Sequence, residues 1–324
     1  MIYEFAIEPE LVATWHERRV GYPIWSQMGL GHPRVACSFP ASTWRQLVIK
    51  ALKVLFPNSA SVEWQNAKKN VEVLVRHLEE GGTARKGNQA HGETWIAAAQ
   101  KEQGRFPFSG GVIVRAAAQA RSYFIEADHF GEKDVPAWNP PVPRVARQPK
   151  DLADALAPLL RSARKLRFVD PHFDAGVKEY FEPMREYLTT AQQRPDPSEL
   201  SVEIHFSLHR EDFQQAKSLS GRDMSERDVA QLRFDTCRAK LLSLLPQGGQ
   251  IHAFAWAERV ERPHNRYVLS NIGGVLVPHG LDSAKSAGQT DDLRVLSKEQ
   301  HQARWAQFDR ASTELRLIAA ETIK

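Results

Sequence analysis

Five of the sixteen residues from Val135 to Lys150, VPAWNPPVPRVARQPK, are proline. Each proline fixes φ and removes a backbone donor, so this run can be neither a regular helix nor an inner strand. It divides the chain into halves that must each bury a core, and 324 residues suffice for two modest domains. The expected domains are 1–134 and 151–324, with 135–150 as the connection.

The second half alternates helix and strand patterns. An amphipathic helix in 149-PKDLADALAPLLRSAR precedes an apolar strand, KLRFVD, and a helix in 175-AGVKEYFEPMREYLTTA precedes a second strand, LSVEIHFSLH. A helix across 226–245, a strand at 250-QIHAFAWAE, the strand pair RYVLS and GGVLVP, and a closing helix through 298–321 complete it. Such alternation predicts a mixed sheet covered by helices on both faces. The first half reads as a strand, IYEFAI, followed by helices at ELVATWHERR, 42–56 and 61–80, the last ending at Gly81-Gly82. The run 112–128 fits strand or helix. The fold class expected is α/β: a mostly helical N-terminal domain, which could recruit protein partners, and a mixed-sheet C-terminal domain.

Cys37 and Cys237 are the only cysteines and have no CxxC or histidine-rich neighbours, so neither a disulfide framework nor a structural zinc site is suggested, and two small buried hydrophobes are expected. The N-terminus carries glutamates within its apolar stretch, unlike a secretion signal, and no segment reaches the roughly 18 apolar residues of a membrane span. A cytoplasmic chain is expected. Its net charge of +4 permits contact with nucleic acid or anionic headgroups, and the basic run RSARKLR at 161–167 fits a phosphate backbone or a solvated face.

The chemistry concentrates in 262-RPHNRYVLSNIGGVLVPHGLD-282. His264 and Arg266, two apart at a strand start, face the same way; imidazole can attack or carry a proton, while guanidinium clamps two phosphoryl oxygens. A hairpin around Gly273-Gly274 would return His279 beside His264. In 168-FVDPHFD-174, Asp170, His172 and Asp174 lie at a strand's carboxyl end, where open α/β sheets bind ligands. They also fit a metal-binding or helix-capping turn. His205 and His209 are four apart around the end of the next strand and would share one face.

HNRYVLSN resembles the HxKxxxxD signature of the phospholipase D superfamily, with Arg266 at the lysine position and Asn271 at the aspartate position. Closer still is the likeness to the phospholipase D-like domain that follows microtubule-interacting-and-trafficking modules, and to similar bacterial proteins: HxR at His264 and Arg266, the Gly273-Gly274 hairpin, 280-GLD-282 and the DPHFD element. It covers roughly Val145 to the C-terminus and implies a phospholipase D-like domain. The resemblance implies His264 as nucleophile, Arg266 as phosphate ligand and Asn271 as the third motif residue, and the strand ends, faces and hairpin add Asp170, His172, His205, His279 and Asp282 as substrate-site candidates. It implies no metal or other cofactor, a homodimer that brings two histidines together and a setting such as anti-phage defence; the mildly basic charge and the lack of a lipid-insertion helix make nucleic acid, rather than lipid, the expected partner. Arginine cannot exchange a proton, and asparagine lacks the charge that stabilises imidazolium. The alternative is therefore a catalytically inactive module that binds proteins or anionic lipid.

Overall fold

The computed structural model describes residues 1–87, 92–116, 122–129, 144–194, 196, 198, 200–245, 249–257, 265–286, 288–312 and 314–324. It divides into two compact units, Ile2–Pro141 and Val142–Lys324. Among the described residues, no helix is long and apolar enough to cross a membrane.

The N-terminal unit is built on a parallel sheet, which corrects the expectation of a mostly helical domain. Its elements run β1 (Tyr3–Ile7), α1 (Pro9–Thr14), α2 (Arg18–Trp25), β2 (Arg34–Ser38), α3 (Trp44–Leu55), α4 (Val62–Glu80), β3 (Thr83–Ala84), α5 (Trp95–Arg105), β4 (Gly111–Val114) and β5 (Phe124–Glu126). The strand order is β3-β2-β1-β4-β5 and every pair is parallel. Residues alternate between two cores. Phe5, Ile7, Ala36 and Ile113 pack with Val12, Trp44, Val48, Val71 and Leu74 from the α1, α3 and α4 side. Ala6, Cys37, Val112 and Val114 pack with Trp95, Ala98 and Ala99 of α5. Helices on both faces bury the central strands almost throughout, so their sequences carry no alternating polar signal. Cys37 and Cys237 are free thiols, each buried, one in the N-terminal unit and one in the C-terminal unit.

The C-terminal unit continues with β6 (Arg144–Ala146), α6 (Pro149–Ser162), β7 (Lys165–Val169), α7 (Lys178–Gln192), β8 (Ser201–Leu208), α8 (Arg210–Ser220), α9 (Glu226–Leu241) and β9 (Gln250–Ala257). Then come β10 (Tyr267–Ser270), β11 (Gly273–Leu276), β12 (Thr290–Asp292), β13 (Arg294–Val295), α10 (Lys298–Gln307) and β14 (Leu317–Ile323). Seven strands form one mixed sheet in the order β13-β11-β10-β7-β8-β9-β14. Within it β7, β8 and β9 are parallel, and β10, β11, β13 and β14 join antiparallel.

On one face Phe168 stacks on Tyr187 of α7 and Phe206 meets Phe234 of α9. On the other, Val169, Phe254, Trp256, Tyr267 and Leu269 form a core with Phe308, and Arg167 lies 3.9 Å above the Trp305 ring of α10. The helix expected through 298–321 ends at Gln307, and from Leu317 the chain is β14, paired with β9. The leucine and alanines there favour helix, but the open hydrogen-bonding edge of β9 outweighs that local preference. A separate two-stranded ribbon pairs β6 with β12, opposing Val145 to Asp291.

Candidate functional site

Asp170 directly follows β7 and is completely buried. Its N–H donates to the His205 carbonyl at 3.1 Å. Its Oδ1 accepts the His172 N–H at 2.9 Å, and its Oδ2 accepts the Leu281 N–H at 2.9 Å. The turn therefore uses Asp170 to tie two chain segments together. Asp174 accepts from the Gly176 N–H at 2.7 Å and pairs with Arg233, so it shapes the turn before α7. The Arg266 Nε lies 3.7 Å from Asp170 Oδ1. Burial raises the pKa of Asp170 above the ordinary carboxylate value, against the pull of the Leu281 and His172 amides and the Arg266 charge.

Arg266 immediately precedes β10, and its carbonyl accepts the Val277 N–H at 2.8 Å. The hairpin read from the glycines is present, opposing Ser270 to Gly273 and Tyr267 to Leu276. It delivers the segment 277–283 to the edge where Asp170 sits. That segment is held from several sides. The Arg147 Nη2 binds Asp282 Oδ1 at 2.7 Å and donates to the His279 and Asp282 carbonyls at 3.3 and 3.2 Å. Ser283 N–H donates to the Glu179 carbonyl at 2.7 Å.

Gly280 adopts φ +120°, where an added Cβ would lie 2.4 Å from Asp282 Oδ1 and 3.2 Å from Asp170 Oδ2. Gly280→Ala is thus expected to lower stability by about 2 kcal/mol or more through backbone strain and the clash. Urea denaturation checks this; an unchanged midpoint would show that the segment has room to move.

At the tip of this segment, His279 Nδ1 lies 3.1 Å from Asp291 Oδ1, and the His279 N–H donates to Asp291 Oδ2 at 3.2 Å. The Asp291 side chain is fully buried while that of His279 is 62 % exposed. Beyond β7 and β8, the His172 and His209 rings stack with centroids 4.5 Å apart, and His209 Nε2 donates to the Pro171 carbonyl at 2.9 Å. One edge of the sheet thus gathers Asp170, Arg266, His172, His279 and Asp282. Of the candidate residues, His264 lies outside the described residues.

Two expected site residues fall elsewhere. Asn271 follows the far end of β10, where its Oδ1 accepts the N–H groups of Arg164 at 2.8 Å and Lys165 at 3.0 Å. The intervening strand puts it about 16 Å from Arg266 at about 3.3 Å per residue, so it anchors the start of β7. His205 points into the sheet's α10 face. It is completely buried, stacks on Phe254 at 4.6 Å, accepts from Trp256 Nε1 at 3.1 Å and meets Glu203 at 3.3 Å. Burial pushes its pKa down, with Glu203 opposing the shift. Four-residue spacing with His209 did not give a shared face, because β8 ends at Leu208 and His209 begins the turn into α8.

Sequence reasoning passed over Asp291 and Arg147. Both arrive through the β6–β12 ribbon, which joins segments some 145 residues apart and leaves no local signal. In the N-terminal unit a cleft of about 280 Å³ opens beside Pro40, Ser42, Thr43, Gln46 and Lys50. Among the described residues no group of three His, Cys, Asp or Glu side chains is placed to hold a metal ion. Compared with models of protein families, with curated proteins and with solved structures, the chain matches none.

Proposed function

We propose that the C-terminal unit is a phosphodiester-binding, phospholipase D-like domain whose partner is nucleic acid. The observation that carries this reading is the placement of Arg266 beside buried Asp170, at the edge to which the segment after β11, carrying the exposed His279, returns. The buried Asp170 carboxylate beside Arg266 favours one orientation of the guanidinium, whose planar fork matches two phosphoryl oxygens. The basic balance of the chain, net charge +4, favours a polyanion. The reading extends to metal-independent hydrolysis, for which the sequence resemblance offers His264 as nucleophile and a homodimer as the source of a second imidazole.

The test is retardation of labelled single- and double-stranded DNA and RNA in excess EDTA, comparing the native chain with Arg266→Ala. Loss of one charge-assisted phosphate clamp corresponds to about 1.5–3 kcal/mol, or roughly a tenfold to hundredfold weaker complex. Native retardation with a weakened variant supports the reading. Absence of native retardation, or equal retardation by both proteins at equal melting temperature, contradicts it and leaves the inactive interaction module as the better account.

A further inference from the structure

The resemblance seeks its second histidine in another copy of the chain, but this chain already presents an imidazole in the arrangement proton transfer requires. The His279 ring is exposed, whereas the carboxylate behind it is fully buried. Asp291 accepts three hydrogen bonds: from His279 Nδ1 at 3.1 Å, from the His279 N–H at 3.2 Å and from its neighbour Asp292 N–H at 2.9 Å. The β6–β12 ribbon fixes its backbone, and Arg147 holds the His279 carbonyl at 3.3 Å. Main chain and ring are therefore both set before any ligand arrives.

Hydrogen bonding decides the tautomer. A carboxylate can only accept, so the Nδ1 facing it carries the ring proton, and the neutral ring keeps the Nε2 lone pair free to take a proton. A simple surface ion pair would stabilise the fold by at most about 1 kcal/mol and would not require a buried carboxylate. The dyad also lies close to Arg266 along the chain path, because His279 is two residues beyond Val277, whose N–H binds the Arg266 carbonyl.

We propose that His279, oriented by Asp291, is the base that activates water against a phosphodiester held by Arg266 of the same chain. The proposal rests on the phosphodiester-binding reading above. His279 Nε2 takes a proton from water as the water oxygen forms its bond to phosphorus. The bond from phosphorus to the leaving oxygen breaks with its electron pair. The alkoxide takes a proton from solvent, and the imidazolium returns one to solvent. The products are an alcohol and a phosphomonoester, and no oxidant, reductant or metal enters the balance. His279 is the catalytic residue and Asp291 a positioning residue.

The experiment measures nitrophenolate release from bis(4-nitrophenyl) phosphate in EDTA, alongside retardation of labelled single-stranded DNA. His279→Ala should lower kcat by about 10²-fold or more, with a far smaller change in KM and with DNA still retarded, and added imidazole should restore part of the rate. Asp291→Asn should lower kcat by about tenfold or more with KM unchanged. An equimolar mixture of the Arg266→Ala and His279→Ala chains should stay inactive.

Turnover by His279→Ala at the native rate overturns the proposal, as does a native rate in Asp291→Asn. Recovery of activity in the mixture overturns the single-chain site. A native protein that retards DNA without releasing nitrophenolate overturns the base while leaving the binding reading standing. Loss of both signals removes both.

Discussion

Glu203→Gln is expected to destabilise the C-terminal unit by about 3 kcal/mol at neutral pH. Glu203 lies on β8 and is almost fully buried, paired with Arg167 and with Lys165 Nζ at 2.6 Å, and hydrogen-bonded to His205 at 3.3 Å. Removing its charge leaves the Arg167 guanidinium, 3 % exposed, without its closest counter-ion in the sheet's interior. Breaking one partner of a buried pair typically costs about 3–5 kcal/mol, and the remaining amide oxygen and the Trp305 stack place this case at the lower end.

Burial alone would raise the Glu203 pKa, but the hydrogen bonds from His205 and Lys165 and the Arg167 charge outweigh it and bring the value to about 2. The folded value lies below the ordinary value of 4.5, so the stabilisation is complete above that value and is lost as pH falls toward about 2. The gap between native and variant urea midpoints should therefore narrow across that window. A constant gap, or none, would show that Arg167 is served adequately by its other contacts.

Asp170→Ala carries the second large effect. Its carboxylate accepts the Leu281 and His172 N–H groups and faces Arg266, so truncation strands two amides and a cation at once. At about 1–3 kcal/mol for each unsatisfied buried donor, a loss of about 3 kcal/mol is expected, together with weaker retention of a phosphodiester because Arg266 loses its support. Asp170→Asn keeps one acceptor and should lose roughly half as much stability.

The pH dependence runs opposite to that of Glu203. Burial raises the folded pKa of Asp170 above 3.8, so the protonation-linked part of its contribution is fully present below 3.8 and is lost as pH rises through the raised value, while the amide hydrogen bonds it accepts remain. Thermal melts of both variants across acidic pH separate acceptor loss from charge loss. Equal melting of all three proteins would remove Asp170 as the organising residue of this edge.

The parts of the fold that could be read in the sequence were those with local signatures. KLRFVD and LSVEIHFSLH became β7 and β8, and the glycines marked the hairpin of β10 and β11. The N-terminal sheet was hidden because β2, with the sequence RVACS, is buried throughout and β3 is two residues long. Neither length nor alternation distinguishes such strands from loops. Asp170 and Arg266, which lie 3.7 Å apart, were each legible as positions at strand ends.

Asn271 was misplaced because motif spacing counts residues along a strand that carries them apart, and it serves the backbone of β7 instead. His205 was misplaced because facing the same way along a strand does not say which face is covered, and α10 covers this one. Asp291 could not be found because its partner His279 is reached only after the β6–β12 ribbon forms.

The central claim is that Arg266 holds phosphate. Its most direct test is equilibrium titration of a labelled single-stranded oligonucleotide with native protein and Arg266→Ala over a series of salt concentrations. Each neutralised phosphate contributes about −0.7 to the slope of log affinity against log salt for a single strand. The account predicts that the variant binds more weakly and that its slope is shallower by about that amount. Equal affinity and equal slope in the two proteins would contradict it, since phosphate would then be held by other residues.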